Sequence, residues 1–164
     1  REISAATSAA IEVGALEDRR ASAPFLKELS NDAKRSIAKI DGISVPDLEV
    51  EDPDGDARVL VLGWGSTYGA IGAAARRVRA SGRKVATAHL RYLNPFPRNT
   101  GDVVRAYEKV LVPEMNLGQL RMLLRAQYLV DAIGYGRVRG KPFRIAEIEA
   151  EAERILAEIP EGVR

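Results

Sequence analysis

Apolar positions along the chain fall into three successive regimes, and each predicts a different kind of element. Through residue 45 the spacing is helical. Residues 2–20 are rich in Ala with scattered Ile and Val, while Phe25, Leu29, Ala33, Ile37 and Ile40 form one stripe at helical spacing. Two helices are expected, about Glu2–Arg20 and about Pro24–Ile40. For the second, Ser22 suits the N-cap and Pro24 the first turn, Ser30 and Asn31 offer a competing cap, and Asp41-Gly42 stops it. Residues 46–57 lose the pattern. They hold six acids, two prolines and no base, the composition of a solvated linker and the best domain boundary in the chain.

From Arg58 onward, strands and helices alternate. Val59–Leu62 is a continuous apolar run ending in Gly63, as expected of a strand buried on both faces. A helix over 67–80 turns Ile71, Ala74, Ala75 and Val78 inward and Arg76, Arg77 and Arg79 outward. A strand over 84–90 follows, then a loop over 94–97, where two prolines forbid regular structure. A helix over 100–107 leads to a strand over 109–112. Asn116 caps the next helix, which runs through Leu129 with Leu117, Leu120, Leu124 and Tyr128 at helical spacing. Residues 135–143 suit a short strand or turns, and Ile145, Ile148, Ala152, Ile155 and Ile159 mark one face of a last helix. This order predicts a three-layer α/β domain over 58–160, a parallel sheet with helices on both faces, preceded by a helical arm over 1–45. Ligands and partners of such sheets approach the carboxyl ends of the strands, here 63–67, 91–97 and 113–116.

Charge sharpens that division. The net charge of +2 is a sum of unlike parts. Residues 58–145 carry 16 Lys/Arg against 4 Asp/Glu, residues 1–57 carry 7 against 13, and residues 146–164 carry 2 against 6. A basic body between acidic flanks points to a docked partner, or to the acidic linker lying along the body. The aromatics do not interleave with the arginines, so nucleic acid is not expected. The chain has no cysteine, which excludes disulfides, thiolate zinc sites and a thiolate-held cluster. Its single histidine, His89, reads as a packed residue and cannot build a multi-histidine metal site. No apolar run spans a membrane and no signal peptide is evident, so a cytoplasmic protein is expected. The first residue is Arg, which suggests a piece of a longer product or a processed form.

Two loops carry candidate chemistry. Gly63, Gly65, Ser66 and Thr67 form a Gly-rich turn between strand and helix whose amides are suited to cradle a phosphate or NADP(H). The dinucleotide pattern requires Gly where this chain has Tyr68, and the same residues also serve as a tight turn capped by Ser66 or Thr67. At 113–120, Glu114, Asn116, Gly118 and Gln119 converge where a strand feeds a helix. Capping and close packing account for Asn116 and Gly118 but leave Glu114 and Gln119 unexplained.

Taken together, Val59–Gly69, His89–Pro97 and Val112–Leu120 form an ordered set. The set resembles the C-terminal domain of the alpha subunit of 2-oxoacid:ferredoxin oxidoreductases, closest to the 2-oxoglutarate type. The resemblance implies a transketolase C-terminal-like fold. It also implies membership in a hetero-oligomer that decarboxylates a 2-oxoacid to its acyl-CoA and passes electrons to ferredoxin. Thiamine diphosphate, Mg²⁺ and an iron–sulfur cluster are implied for the full complex, with no cofactor in this chain, because the pyrophosphate-binding domain of the family lies on the beta subunit. No catalytic residue carries over. Asn94, Pro95, Phe96, Pro97, Glu114, Asn116 and Gln119 are the expected contact residues. The alternatives are a small NADP(H)- or phosphate-binding module, or an interaction module for an acidic partner.

Overall fold

The structure, a computed structural model, describes residues 31–35, 39 and 43–160. The helix expected at Glu2–Arg20, the caps Ser22, Pro24 and Ser30, and the stop at Asp41-Gly42 lie outside the described residues. Of the helix expected at Pro24–Ile40, residues 31–35 and 39 are helical, and Arg35 pairs with Asp32 at 3.3 Å. The chain divides between Ser44 and Val45, and the sheet lies in the second unit, Val45–Arg164.

That sheet has five strands: β1 (Val50–Glu51), β2 (Val59–Trp64), β3 (Ala86–Leu90), β4 (Lys109–Glu114) and β5 (Ala132–Gly136). Their spatial order is β1-β3-β2-β4-β5, with every pairing parallel except the antiparallel β1–β3 edge. Four helices follow the strands: α1 (Tyr68–Ala80), α2 (Thr100–Arg105), α3 (Gln119–Tyr128) and α4 (Ile145–Glu158), with one 3-10 turn at Gly65–Thr67 leading into α1. None of these helices is long and apolar enough to cross a membrane.

β2 is central, and its residues feed two cores in alternation. Val59 and Val61, with Leu111 of β4, meet Ile71, Ala74 and Val78 of α1 and Ile148 and Ile155 of α4. Leu60 and Leu62, with Val110 and Val112 of β4, meet Val104 of α2 and Leu120 and Leu124 of α3. This two-sided burial is why the strand reads as an unbroken apolar run. Each fully buried Val or Leu contributes about 1.5–3 kcal/mol, whereas an exposed ion pair contributes about 1 kcal/mol at most. The two cores therefore hold the unit together, and surface charge only trims it.

Three elements differ from expectation. The acidic segment 46–57 supplies β1, because Leu48 is buried and Asn99 clasps its backbone. Glu51 pairs with Arg79 and Asp56 with Lys84, so the acidic segment lies along the basic body. The last strand runs over 132–136, earlier than 135–143, because buried Ala132 and half-buried Ile133 carry it, while Gly140, at φ +63°, lies in the turn beyond. α3 begins at Gln119, three residues after Asn116. Leu117, expected on its inward stripe, is 84% exposed.

Candidate functional site

β2, β3, β4 and β5 run parallel, so their carboxyl ends share one edge, and the candidate residues lie at the strand ends, in the loops after them, or at the start of α3.

The turn after β2 is closed by its own atoms. A Cβ on Gly63 would lie 2.3 Å from Ile71 Cδ1 and 2.7 Å from Thr67 Oγ1, so only glycine lets α1 approach this closely. Thr67 is buried. Its hydroxyl accepts from the Trp64 amide at 3.2 Å and donates to the Trp64 carbonyl at 2.8 Å. Gly65 sits in the left-handed region at φ +58°, and both it and Ser66 are exposed. Gly63 and Thr67 are thus engaged in the tight strand-to-helix connection.

Next to this turn, His89 stands on β3 with its ring edge-on to Tyr68, centroids 5.0 Å apart. Burial, aided by the Arg91 charge, holds its pKa below the ordinary value, and the Gly65 backbone pulls the other way.

At the end of β4, Glu114 is 1% exposed. Its carboxylate accepts from the Leu120 amide at 2.8 Å and the Arg121 amide at 3.0 Å. Asn116 Oδ1 accepts from the amides of Gly118 at 2.7 Å and Gln119 at 3.1 Å. Together the two side chains satisfy the otherwise orphaned donors at the start of α3, where the helix dipole also favours an anion. This corrects the reading of Glu114 as a contact residue: it is sealed inside the domain as the cap of α3. Asn116 is half-buried and Gln119 is exposed.

The loop 94–97 is partly held by the domain itself. Phe96 packs on Tyr128, centroids 6.0 Å apart, against the second core. Pro97 is buried and its carbonyl accepts from the Thr100 amide at 3.0 Å. Pro95, which follows a cis peptide bond from Asn94, is half-buried. Of the four residues only Asn94 is exposed.

α3 and the loops beside it carry exposed apolar side chains that sequence reasoning missed. Leu117, Met122, Leu123 and Val138 are 84%, 54%, 49% and 67% exposed. Leu117 and Val138 line one hollow of about 270 Å³ beside Arg121. The available signal was Met122 and Leu123, which fall out of phase with the inward pair Leu120 and Leu124.

Fold and edge together define an α/β domain built on a mostly parallel sheet covered by helices on both faces. Residues 57–147 match the pyruvate:ferredoxin oxidoreductase core domain II, and the chain belongs to that family. It is 54% identical over 139 residues to the 2-oxoglutarate oxidoreductase subunit KorA of Mycobacterium tuberculosis, covering 83% of this chain and 21% of the relative. It is 32% identical over 138 residues to the alpha subunit of 2-oxoacid:ferredoxin oxidoreductase 2 of Aeropyrum pernix, covering 81% of this chain and 22% of that one. The chain thus spans a minor part of the length of both relatives. Among solved structures, it superposes on the 2-oxoglutarate:ferredoxin oxidoreductase of Magnetococcus marinus, solved with 2-oxoglutarate, coenzyme A and succinyl-CoA bound. The TM-score is 0.63 at 29% identity, over 84% of this chain and 24% of that one. A split-gene transketolase in an inactive β4 tetramer shares the fold at 16% identity and TM-score 0.53, over 71% of this chain and 44% of that one.

One group the family implies, an iron–sulfur cluster, does not fit the residues present. A thiolate-held iron–sulfur cluster requires cysteines, and the 164 residues contain none. Among the described residues, no three His, Asp or Glu side chains stand together as a metal-holding group.

Proposed function

We propose that this chain is the C-terminal assembly domain of the alpha subunit of a 2-oxoglutarate:ferredoxin oxidoreductase. The observation that carries this reading is the 54% identity to a 2-oxoglutarate oxidoreductase subunit over 139 residues. The complete enzyme converts the 2-oxoacid and coenzyme A to acyl-CoA and CO₂ and releases two electrons to ferredoxin. Thiamine diphosphate, Mg²⁺ and the cluster reside in other parts of a cytoplasmic hetero-oligomer that includes the beta subunit. The α/β body begins at Val45 rather than Arg58, because the segment 46–57 adds β1 to its sheet.

This chain's contribution is contact. Leu117 before α3 and Met122 and Leu123 on it are exposed apolar side chains, with polar Asn116 and Gln119 flanking Leu117 in the chain and Asn94 exposed on the loop after β3. An apolar patch rimmed by polar residues supports docking of another part of the enzyme.

The test is assembly of the full alpha chain with its beta subunit, comparing wild type with Leu117→Lys/Met122→Glu. The expected result is an unchanged melting temperature for the variant domain, lost co-purification, and lost reduction of ferredoxin by 2-oxoglutarate and coenzyme A. Normal assembly of the variant would overturn the contact role. Turnover of pyruvate but not 2-oxoglutarate by the wild type would overturn the substrate.

A further inference from the structure

α1 covers β2 and β3, but the edge strand β1 extends the sheet past it. Between them lies a cleft of about 460 Å³, within the range of small-molecule sites. Its charged lining comprises Arg76 of α1, Arg91 just after β3, and Glu49 and Glu51 on the β1 side. His89 and Tyr68 complete the wall, with Tyr68 66% exposed.

The charges in this cleft do not cancel. Glu51 is already held by Arg79 and by the Thr87 hydroxyl at 3.3 Å. Arg77 and Arg79, on the same helix as Arg76, each hold a glutamate, Glu149 and Glu51 respectively. Arg76 and Arg91 hold none: neither makes an ion pair or hydrogen bond among the described residues. Two free guanidinium groups therefore face a single unengaged carboxylate, Glu49.

The wall beside them is kept open. A Cβ on Gly69 would meet nothing within 4 Å, and one on Gly72 would lie 3.5 Å from Arg76 Nη1. Neither position therefore puts a side chain of its own beside the Arg76 guanidinium. Paired guanidinium forks match the oxygens of a phosphate group, and an exposed tyrosine ring offers a face to a planar base.

We infer that the α1–β1 cleft binds an organic phosphate of nucleotide size, with Arg76 and Arg91 on the phosphate. The site is independent of the assembly role and lies away from Leu117 and Met122.

Equilibrium dialysis of the full chain in its isolated form against radiolabelled ADP and, in a separate arm, inorganic phosphate tests this. The variants are Arg76→Gln/Arg91→Gln and Glu49→Gln. ADP should bind wild type, weaken by at least about tenfold in the arginine variant, and tighten in Glu49→Gln, with binding falling as salt rises. Because neither arginine has a partner among the described residues, the melting temperature should hold, which separates lost binding from lost folding. ADP bound more tightly than phosphate supports recognition of the whole nucleotide. Equal binding of both, lost together in the arginine variant, supports recognition of the phosphate alone. Absence of ADP binding up to millimolar concentration, or binding that the arginine variant leaves unchanged, would overturn the inference.

Discussion

Asn99 holds Leu48 with both ends of its side-chain amide. The Leu48 amide donates to Asn99 Oδ1 at 2.8 Å, and Asn99 Nδ2 donates to the Leu48 carbonyl at 2.9 Å. The clasp imitates a rung of a sheet ladder and delivers the chain to β1 two residues later. At about 1 kcal/mol net per hydrogen bond, Asn99→Ala should cost about 2–3 kcal/mol and Asn99→Asp, which keeps the acceptor, about half as much. Urea unfolding measures the totals. Hydrogen exchange should show protection lost first at Val50 and Glu51, and uniform loss across the sheet would contradict the clasp.

Gly63 and Ile71 form a second tight pair. Gly63→Ala should destabilise by about 1–3 kcal/mol through overpacking. Ile71→Val alone should cost about 0.5–1.5 kcal/mol but removes the Cδ1 atom that the new methyl would strike. The double variant should therefore lose less than the two singles combined, by about 0.5 kcal/mol or more in a double-mutant cycle. Thr67 Oγ1, 2.7 Å from the same Cβ position, keeps the rescue partial. Strict additivity would count against this geometry.

Glu114→Gln turns an amide group toward a backbone donor and leaves the amide of Leu120 or Arg121 unpaired. The expected cost is about 1–3 kcal/mol, against about 1 kcal/mol for Asn116→Ala. Thermal melts of the isolated variants decide it. A Glu114→Gln chain that melts like wild type but fails to assemble would make Glu114 a contact residue after all.

His89 is the sole histidine of the 164 residues, and it sets a pH window. Its folded pKa lies below 6.5, depressed first by burial and then by Arg91. Above about pH 6.5 both folded and unfolded states leave it neutral, and its contribution to stability is complete. As pH falls below that value the unfolded chain binds a proton that the folded chain resists, so stability declines toward the folded pKa. His89→Gln should flatten the decline between about pH 7 and 5 in urea midpoints. Glu108 and Glu147 act in a lower window. Their pKa values lie below 4.5, Glu108 through its bond to Arg58 and Glu147 through the Arg144 amide, so their contributions fade only in stronger acid. A His89→Gln chain with the wild-type slope would point to other groups.

The central layers were legible because their pattern has one physical solution. Val59–Leu62 and Val110–Val112 are unbroken apolar runs that only a sheet covered on both faces can bury. Other parts answer to contacts distant in sequence. β1 is two residues among acids, and Asn99, some fifty positions away, makes it a strand. Glu114 caps a helix that starts five residues later, reaching back from the end of a strand, outside the local spacing by which N-caps are recognised. It stood out in the sequence as an acid without a purpose, and that was the usable signal. Phe96 and Pro97 looked like a recognition loop because Pro and Phe serve surfaces and cores alike, and only the place of Tyr128 decides between them. Leu117 went the other way. One period of helix too many was read into its stripe, which placed an exposed residue in the core.

The acidic rung at Val50–Glu51 has a consequence for the company the domain keeps. β3 would otherwise offer a bare ladder of amides and carbonyls to any passing chain. β1 closes that ladder with two residues, and the segment carrying it holds six carboxylates over 46–57. A second molecule approaching along this rim meets like charge before it meets a hydrogen-bonding partner. The segment is therefore a guard against runaway sheet growth as much as a connection. A domain trimmed to begin at Arg58 should scatter light at concentrations where one beginning at Val45 stays clear.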